Sequence, residues 1–282
     1  MSTRSWKLPP GVRALEVNGY DMAYLERGRG APLVLVHGSL SDYRTWGLQM
    51  GPFGAGYRTI SVSLRRCYPE PWDGHGDDFS VRQHADDLSV FIQKLDAGPV
   101  HVVAHSRGAD VALLLAARHP DRVRGMVLSD PAPLNDMLPA TPEVTAALEK
   151  RLAIVTAAVA RLLQGNRDGG IELFTDAVSA PGTWKRLSEA ARQIRRDNVW
   201  SLKSLVSDAR ERFGCRDAGM IDAPVLLIAG EKSPRLYGLM QAALLACLKH
   251  SQAVTIPGAS HGLFREKPDA YNAAAIDFLR NL

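Results

Sequence analysis

The chain has 282 residues, of which 46% are hydrophobic and 23% charged, an ordinary globular balance that excludes a disordered or fibrous protein. Its length fits two domains of about 150 residues, or one domain carrying an insertion. The 34 Lys and Arg exceed the 30 Asp and Glu by +4 without forming a basic run, which argues against a nucleic-acid partner.

Met1 to Pro10 has no apolar core and no small-residue cleavage site, so no secretory leader is expected. Strands are predicted at Val12 to Val17 and Tyr20 to Glu26, around Asn18-Gly19, where both turn positions tolerate positive φ. The apolar run Leu33 to Val36 reads as a strand buried on both faces, and it ends at His37-Gly38. Tyr57 to Leu64 is a further strand. A helix starts near Ser80, whose hydroxyl can cap it; Leu88, Phe91, Ile92 and Leu95 follow at helical spacing. Val100 to Ala104 is a strand, Asp110 to His119 a helix and Val123 to Leu128 a strand closed by Asp130-Pro131. The apolar stretch Val111 to Ala117 is too short to span a bilayer, which needs about 20 residues.

The alternation then stops. From Pro133 to Asp222 the pattern reads as helices: Val144 to Gln164, Ile171 to Val178, Trp184 to Arg195 and Val199 to Arg212. Strands and helices resume with Val225 to Ile228, a helix from Pro234 to Lys249, a strand Ala253 to Ile256 and a final helix from Pro268. Alternation implies a parallel sheet, and the helical block reads as an insertion over it. Cys67, Cys215 and Cys247 show no paired or metal-like spacing, so a reduced, cytoplasmic protein without disulfides is expected.

The sharpest local feature is Val102-Val103-Ala104-His105-Ser106-Arg107-Gly108. A buried strand runs into Ser106 and a helix follows at once, which is the context of a nucleophile elbow. Gly108 and Ala104 are the small residues that let strand and helix approach; Ala104 stands where glycine is usual. A serine needs a base and donors for the charge that develops on the acyl oxygen. His261, in the loop Pro257-Gly258-Ala259-Ser260-His261-Gly262 after a strand, is the candidate base. The backbone N–H groups of Ser39 and Arg107 are the candidate donors.

Together these features resemble the α/β-hydrolase superfamily over nearly the whole length. The resemblance rests on the His37-Gly38-Ser39 loop, the Ala104-to-Gly108 elbow, the Pro224-to-Gly230 strand and the Pro257-to-His261 loop. Residues His37 to Trp46 and Pro257 to Phe264 are also similar to bacterial esterase-like members with a helical cap. The resemblance implies a mostly parallel eight-stranded sheet flanked by helices, with an antiparallel first hairpin. It implies a core of residues 1–132 and 223–282, an inserted cap of residues 133–222 that roofs the pocket, and neither metal nor organic cofactor.

The family's acid usually follows the strand at Val225 to Ile228, in a loop reading Gly-Glu-x-Asp. Here that loop is Gly230-Glu231-Lys232-Ser233, and Ser233 stands in the acid's place. Three resolutions are open. Asp130, at the end of the neighbouring strand, is favoured, because adjacent strands lie only about 4.8 Å apart. Glu231 is the second, and the absence of any acid the third. An imidazole without its acid can lose about 10⁴ in kcat.

His37, Gly38, His105, Arg65 and Trp184 are the candidate substrate contacts. Arg65 can hold a carboxylate by a bidentate contact, although structural pairing is the commoner fate of such an arginine. His75, Asp77 and Asp78 lack a metal-ligand spacing. His84 and Asp87 read as a solvated i, i+3 pair. Cys67 has no cysteine-nucleophile context. The expected activity is serine hydrolysis of an ester, thioester or lactone of a small organic substrate, with no nucleic-acid or membrane partner. The alternatives are C–C bond hydrolysis of a diketone-like substrate, or non-hydrolytic use of the same pocket.

Overall fold

The computed structural model describes residues 6–76, 78–207 and 212–282. β1 (Arg13–Val17) and β2 (Tyr20–Arg27) form the predicted hairpin, with Asn18 at φ 44° and Gly19 at φ 80°. β3 (Pro32–Val36), β4 (Arg58–Val62), β5 (Val100–His105), β6 (Val123–Ser129), β7 (Val225–Gly230) and β8 (Ser251–Ile256) complete one sheet. Its order is β1-β2-β4-β3-β5-β6-β7-β8. β2 runs antiparallel to both neighbours, and every other pairing is parallel. This is the eight-stranded, mostly parallel sheet with an antiparallel first hairpin that the resemblance implied.

The helices before the insertion are α1 (Gly47–Gly54), α2 (Val81–Lys94) and α3 (Arg107–Arg118). Ser80 caps α2 as predicted, its Oγ accepting from Gln83 N at 3.0 Å. α1 has no counterpart among the sequence predictions: Pro52 lies inside it and three glycines occupy its eight positions, which hides the helical period. Between β6 and β7 the chain forms α4 (Pro142–Leu163), α5 (Arg167–Val178), α6 (Thr183–Arg186), α7 (Glu189–Asp197) and α8 (Ser201–Ser207). It then forms α9 (Cys215–Ala218), α10 (Arg235–Cys247), α11 (Leu263–Glu266) and α12 (Pro268–Arg280).

The sheet is covered on both faces, which is why its inner strands are apolar throughout. On one face Leu88, Phe91, Leu113 and Met240 pack against Val34, Val102 and Leu128. On the other, Trp46, Phe53, Phe264 and Tyr271 pack against Leu33, Val103 and Ile228. The inserted helices hold a cluster of their own, built from Val155, Leu162, Ile171, Phe174 and Leu202, with Leu40 of the loop after β3 reaching into it.

Several expectations are corrected. The single helix predicted over Trp184 to Arg195 is two, because Leu187 is extended and Ser188 starts α7 afresh, its Oγ accepting from Ala191 N. The helix predicted from Val199 to Arg212 is seen as α8, and residues 208–211 lie outside the described residues. Trp184 is buried in the cluster of the inserted helices, under the guanidiniums of Arg192 and Arg196. Its role there is packing, which replaces the substrate contact expected of it. Cys215 and Cys247 are joined by a disulfide with their Cα atoms 5.1 Å apart, against the expectation of three reduced thiols. Spacing missed the pair because it closes across β7, between two helices. The described helices include none long and apolar enough to cross a membrane. With Cys215 and Cys247 bridged, the cysteines no longer point to a cytoplasmic location.

Candidate active site

Ser106 sits between β5 and α3 at φ 54°, ψ −125°. A serine held at positive φ is strained and persists only where its surroundings fix it. Here Ser106 N donates to Ser129 O of β6 at 3.0 Å. Gly108 lies against β3: a Cβ there would fall 2.4 Å from His37 O and 2.6 Å from Val36 O. Gly38 is held as closely, since its Cβ would stand 3.0 Å from Ser106 Cβ. The loop after β3 is therefore pressed against the serine, with Ser39 next in the chain. Leu40 N is committed to Ser201 Oγ of α8 at 2.8 Å, which ties this loop to the inserted helices. Arg107 N belongs to the first residue of α3, at the positive end of the helix dipole.

Three side chains from three strand ends form one hydrogen-bonded chain. His261 Nε2 lies 3.1 Å from Ser106 Oγ, and His261 Nδ1 lies 3.1 Å from Asp130 Oδ2. Asp130 follows β6 at φ 40°, its N–H donating to Ile228 O of β7. Ser233 Oγ donates to the same Asp130 Oδ2 at 2.5 Å, and Gly230 N donates to Oδ1 at 3.4 Å. Ser233, in the family's usual acid place, thus hydrogen-bonds the carboxylate at the end of β6. Glu231 turns elsewhere: its Oε2 accepts from Gly258 N at 2.7 Å.

Asp130 and His261 are both buried. Burial raises Asp130 to about 6, against the hydrogen bonds from Ser233 Oγ and Gly230 N–H. Burial lowers His261 to about 3, reinforced by the positive charges of Arg265, Arg151 and Arg195. The imidazole is thus neutral at pH 7, as a proton acceptor must be. A neutral Nε2 beside a hydroxyl, with Nδ1–H donating to a carboxylate, can take the serine proton and return it to a leaving group.

The remaining predicted contacts support the site from behind. His105 Nε2 donates to His261 O at 2.8 Å, and its ring lies 4.4 Å from that of His261. His37 Nε2 accepts from Leu64 N at 3.1 Å, which leaves Nδ1–H to donate to Gly38 O at 2.8 Å. Both histidines are buried and pushed down by burial, so they are neutral fixtures of the backbone. Arg65 is corrected as a substrate contact: it is buried and bidentate to Asp87, with a further bond to Asn18 O. His84 and Asp87 are likewise buried, not solvated. His84 Nδ1 accepts from the Arg107 guanidinium at 2.8 Å. Asp78 pairs with Arg66, and Asp77 lies outside the described residues. Burial pushes the Cys67 thiol up, away from the reactive thiolate.

Sequence reading missed Tyr237, whose ring stacks on His261 with centroids 4.3 Å apart. It also lines an apolar cavity of about 220 Å³ between α4, α5 and α10, with Ile154, Phe174 and Leu236. A larger cavity of about 760 Å³ reaches Ser260, the neighbour of His261.

A family model described as the alpha/beta hydrolase family matches residues 33–274. A 2-(acetamidomethylene)succinate hydrolase of Mesorhizobium japonicum is 26% identical, over 95% of this chain and 94% of that protein. Among solved structures, a thermophilic esterase from Thermogutta terrifontis superimposes with a TM-score of 0.75 at 22% identity, covering 96% of this chain and 98% of that one. The enol-lactonase from Burkholderia xenovorans LB400 gives 0.71 at 20% identity, covering 95% and 100%.

Proposed function

The chain belongs to the alpha/beta hydrolase family, and from that premise we propose that it is a serine hydrolase acting at an acyl carbon through an acyl-enzyme on Ser106. The observation that carries this reading is the unbroken chain Ser106 Oγ, His261, Asp130, at 3.1 Å and 3.1 Å. Ser106 attacks the acyl carbon of an ester, thioester or lactone while His261 takes its proton. The N–H groups of Ser39 and Arg107 hold the oxyanion. His261 returns the proton to the leaving group, then activates the water that releases the acid. Asp130 keeps the imidazole in the tautomer that accepts at Nε2 and stabilises the imidazolium.

On the same reading residues 1–132 and 223–282 are one catalytic core, and residues 133–222 are a cap that closes over it. Leu40 in the cluster of inserted helices, and the bond from Leu40 N to Ser201, support a coupling between cap and oxyanion loop.

A serine-directed fluorophosphonate tests the nucleophile, and a panel of acyl esters and lactones tests the reaction. Wild type is expected to be labelled and to turn over at least one acyl compound; Ser106→Ala is expected to do neither. A folded wild type that takes no label ends the acyl-enzyme reading.

A further inference from the structure

The larger cavity, which reaches Ser260 next to His261, has a lining rich in cations: Arg44, Arg186, Arg195, Lys232 and Arg265, against the single carboxylate of Glu266. Arg44 is already neutralised by Asp42 and Asp197 at 2.6 Å and 2.7 Å. Arg195 and Arg265 are not. Arg195 is only 7% exposed, and among the described residues its guanidinium donates to one protein acceptor, the backbone carbonyl of Ala191 at 2.8 Å. Arg265 is half-buried and lies over the Phe264 ring at 4.8 Å. Among the described residues neither guanidinium has a carboxylate within ion-pair distance. Glu266 is near Arg265, yet both its oxygens accept from Ser260, at 2.6 Å from N and 2.6 Å from Oγ.

A buried charge without a partner is costly, so folded proteins pair such charges or place them where a ligand completes the pair. Burial works against the charged form of both arginines, and each bears on His261 electrostatically, so they stand close to the reacting centre. Planar guanidiniums match a carboxylate in shape as well as charge.

We propose that this cavity holds the anionic group of the substrate, a carboxylate seated on Arg195 and Arg265 while the acyl carbon lies at Ser106. The inference rests on the acyl-hydrolase reading and narrows it: the substrate is a small organic acid that also carries the bond to be cleaved.

Two esters that differ only at the free acid decide it, the 4-nitrophenyl monoester of succinic acid and methyl 4-nitrophenyl succinate. Wild type is expected to favour the acid by at least about tenfold in kcat/KM, the scale of one charged hydrogen bond. Arg195→Met and Arg265→Met are expected to remove that preference, and Arg195→Lys to keep part of it. A wild type that favours the methyl ester, or variants that keep the full preference, overturn the proposal. Melting in the presence of succinate gives a readout without turnover: the anion should stabilise wild type and not Arg195→Met. Equal stabilisation of both, or of neither, overturns it as well. If wild type takes no fluorophosphonate label, the hydrolase reading has failed, and the succinate measurement alone then decides the anion site.

Discussion

At the scale of single residues, the site stores its tension in Asp130. Its folded pKa is raised, so its protonated form favours the fold at low pH. That advantage is lost as pH rises from the unfolded value of 3.8 through about 6. Above that window the buried carboxylate carries a penalty of roughly 3 kcal/mol at about 1.4 kcal/mol per pKa unit. Asp130→Asn is therefore expected to be about 1–3 kcal/mol more stable than wild type in denaturant melts at pH 8, and to lose about 10⁴ in kcat. A variant that keeps most of its turnover would move the acid elsewhere. On the proposed mechanism the pair also fixes the acid limb of activity, because Asp130 must be ionised and His261 neutral, and they titrate together. Activity falls as pH falls, with the midpoint of kcat/KM expected at or below about 6, since one group is raised to about 6 and the other lowered to about 3. A midpoint at pH 7 or above would contradict that assignment.

Ser106 and His261 were legible because each sits in a short segment whose neighbours dictate its geometry. Asp130 was legible by the absence of an acid at Ser233, together with the narrow spacing of strands. That Ser233 would hold the displaced carboxylate was not legible, because the contact depends on a side-chain rotamer. Nor was Arg195. Three arginines lie within five residues of α7, and nothing in their order says which one turns inward.

At the scale of elements, the elbow depends on how closely β5, α3 and the loop after β3 approach. Gly108 is the residue that sets this distance, and its neighbours are backbone carbonyls that cannot rotate away. In an open helix, replacing glycine by alanine gains about 1 kcal/mol. Here Gly108→Ala is expected to do the reverse, destabilising by about 1–3 kcal/mol through overpacking. Activity should fall by about 10²-fold, because the shift displaces Ser39 and Arg107 together. Thermal melts and initial rates check both, and a more stable variant would refute the packing argument. The same physics explains which elements the sequence announced. Long buried strands and α2 carry strong periodicity. α1 does not, with Pro52 and three glycines, and α6 and α7 read as one helix because Ser188 is as good a helix surface residue as it is a cap.

At the scale of the whole molecule, the chain leaves the sheet after β6 and returns to it at β7, where Leu226 sits beside Val127. Order in this returning segment decides whether Gly230 and Ser233 reach Asp130 and whether Tyr237 reaches His261. The Cys215–Cys247 bridge brackets that segment: it joins α9, just before β7, to the end of α10, at a sequence separation of 32. Closing a loop of that length removes unfolded-state entropy equivalent to about 3–4 kcal/mol. In a chain of this size that corresponds to about 5–8 °C in Tm. Cys215 is exposed, so a mild reductant can reach it. Wild type is therefore expected to melt about 5–8 °C lower in dithiothreitol, and Cys215→Ser to melt at that lower temperature with or without it. Both should keep their rate at 25 °C, because the bridge lies at the far end of α10 from Tyr237 and touches no residue of the Ser106–His261–Asp130 chain. A wild-type Tm indifferent to reductant would show that the two thiols are not joined in solution, and would restore the reduced chain that the spacing of its cysteines predicts.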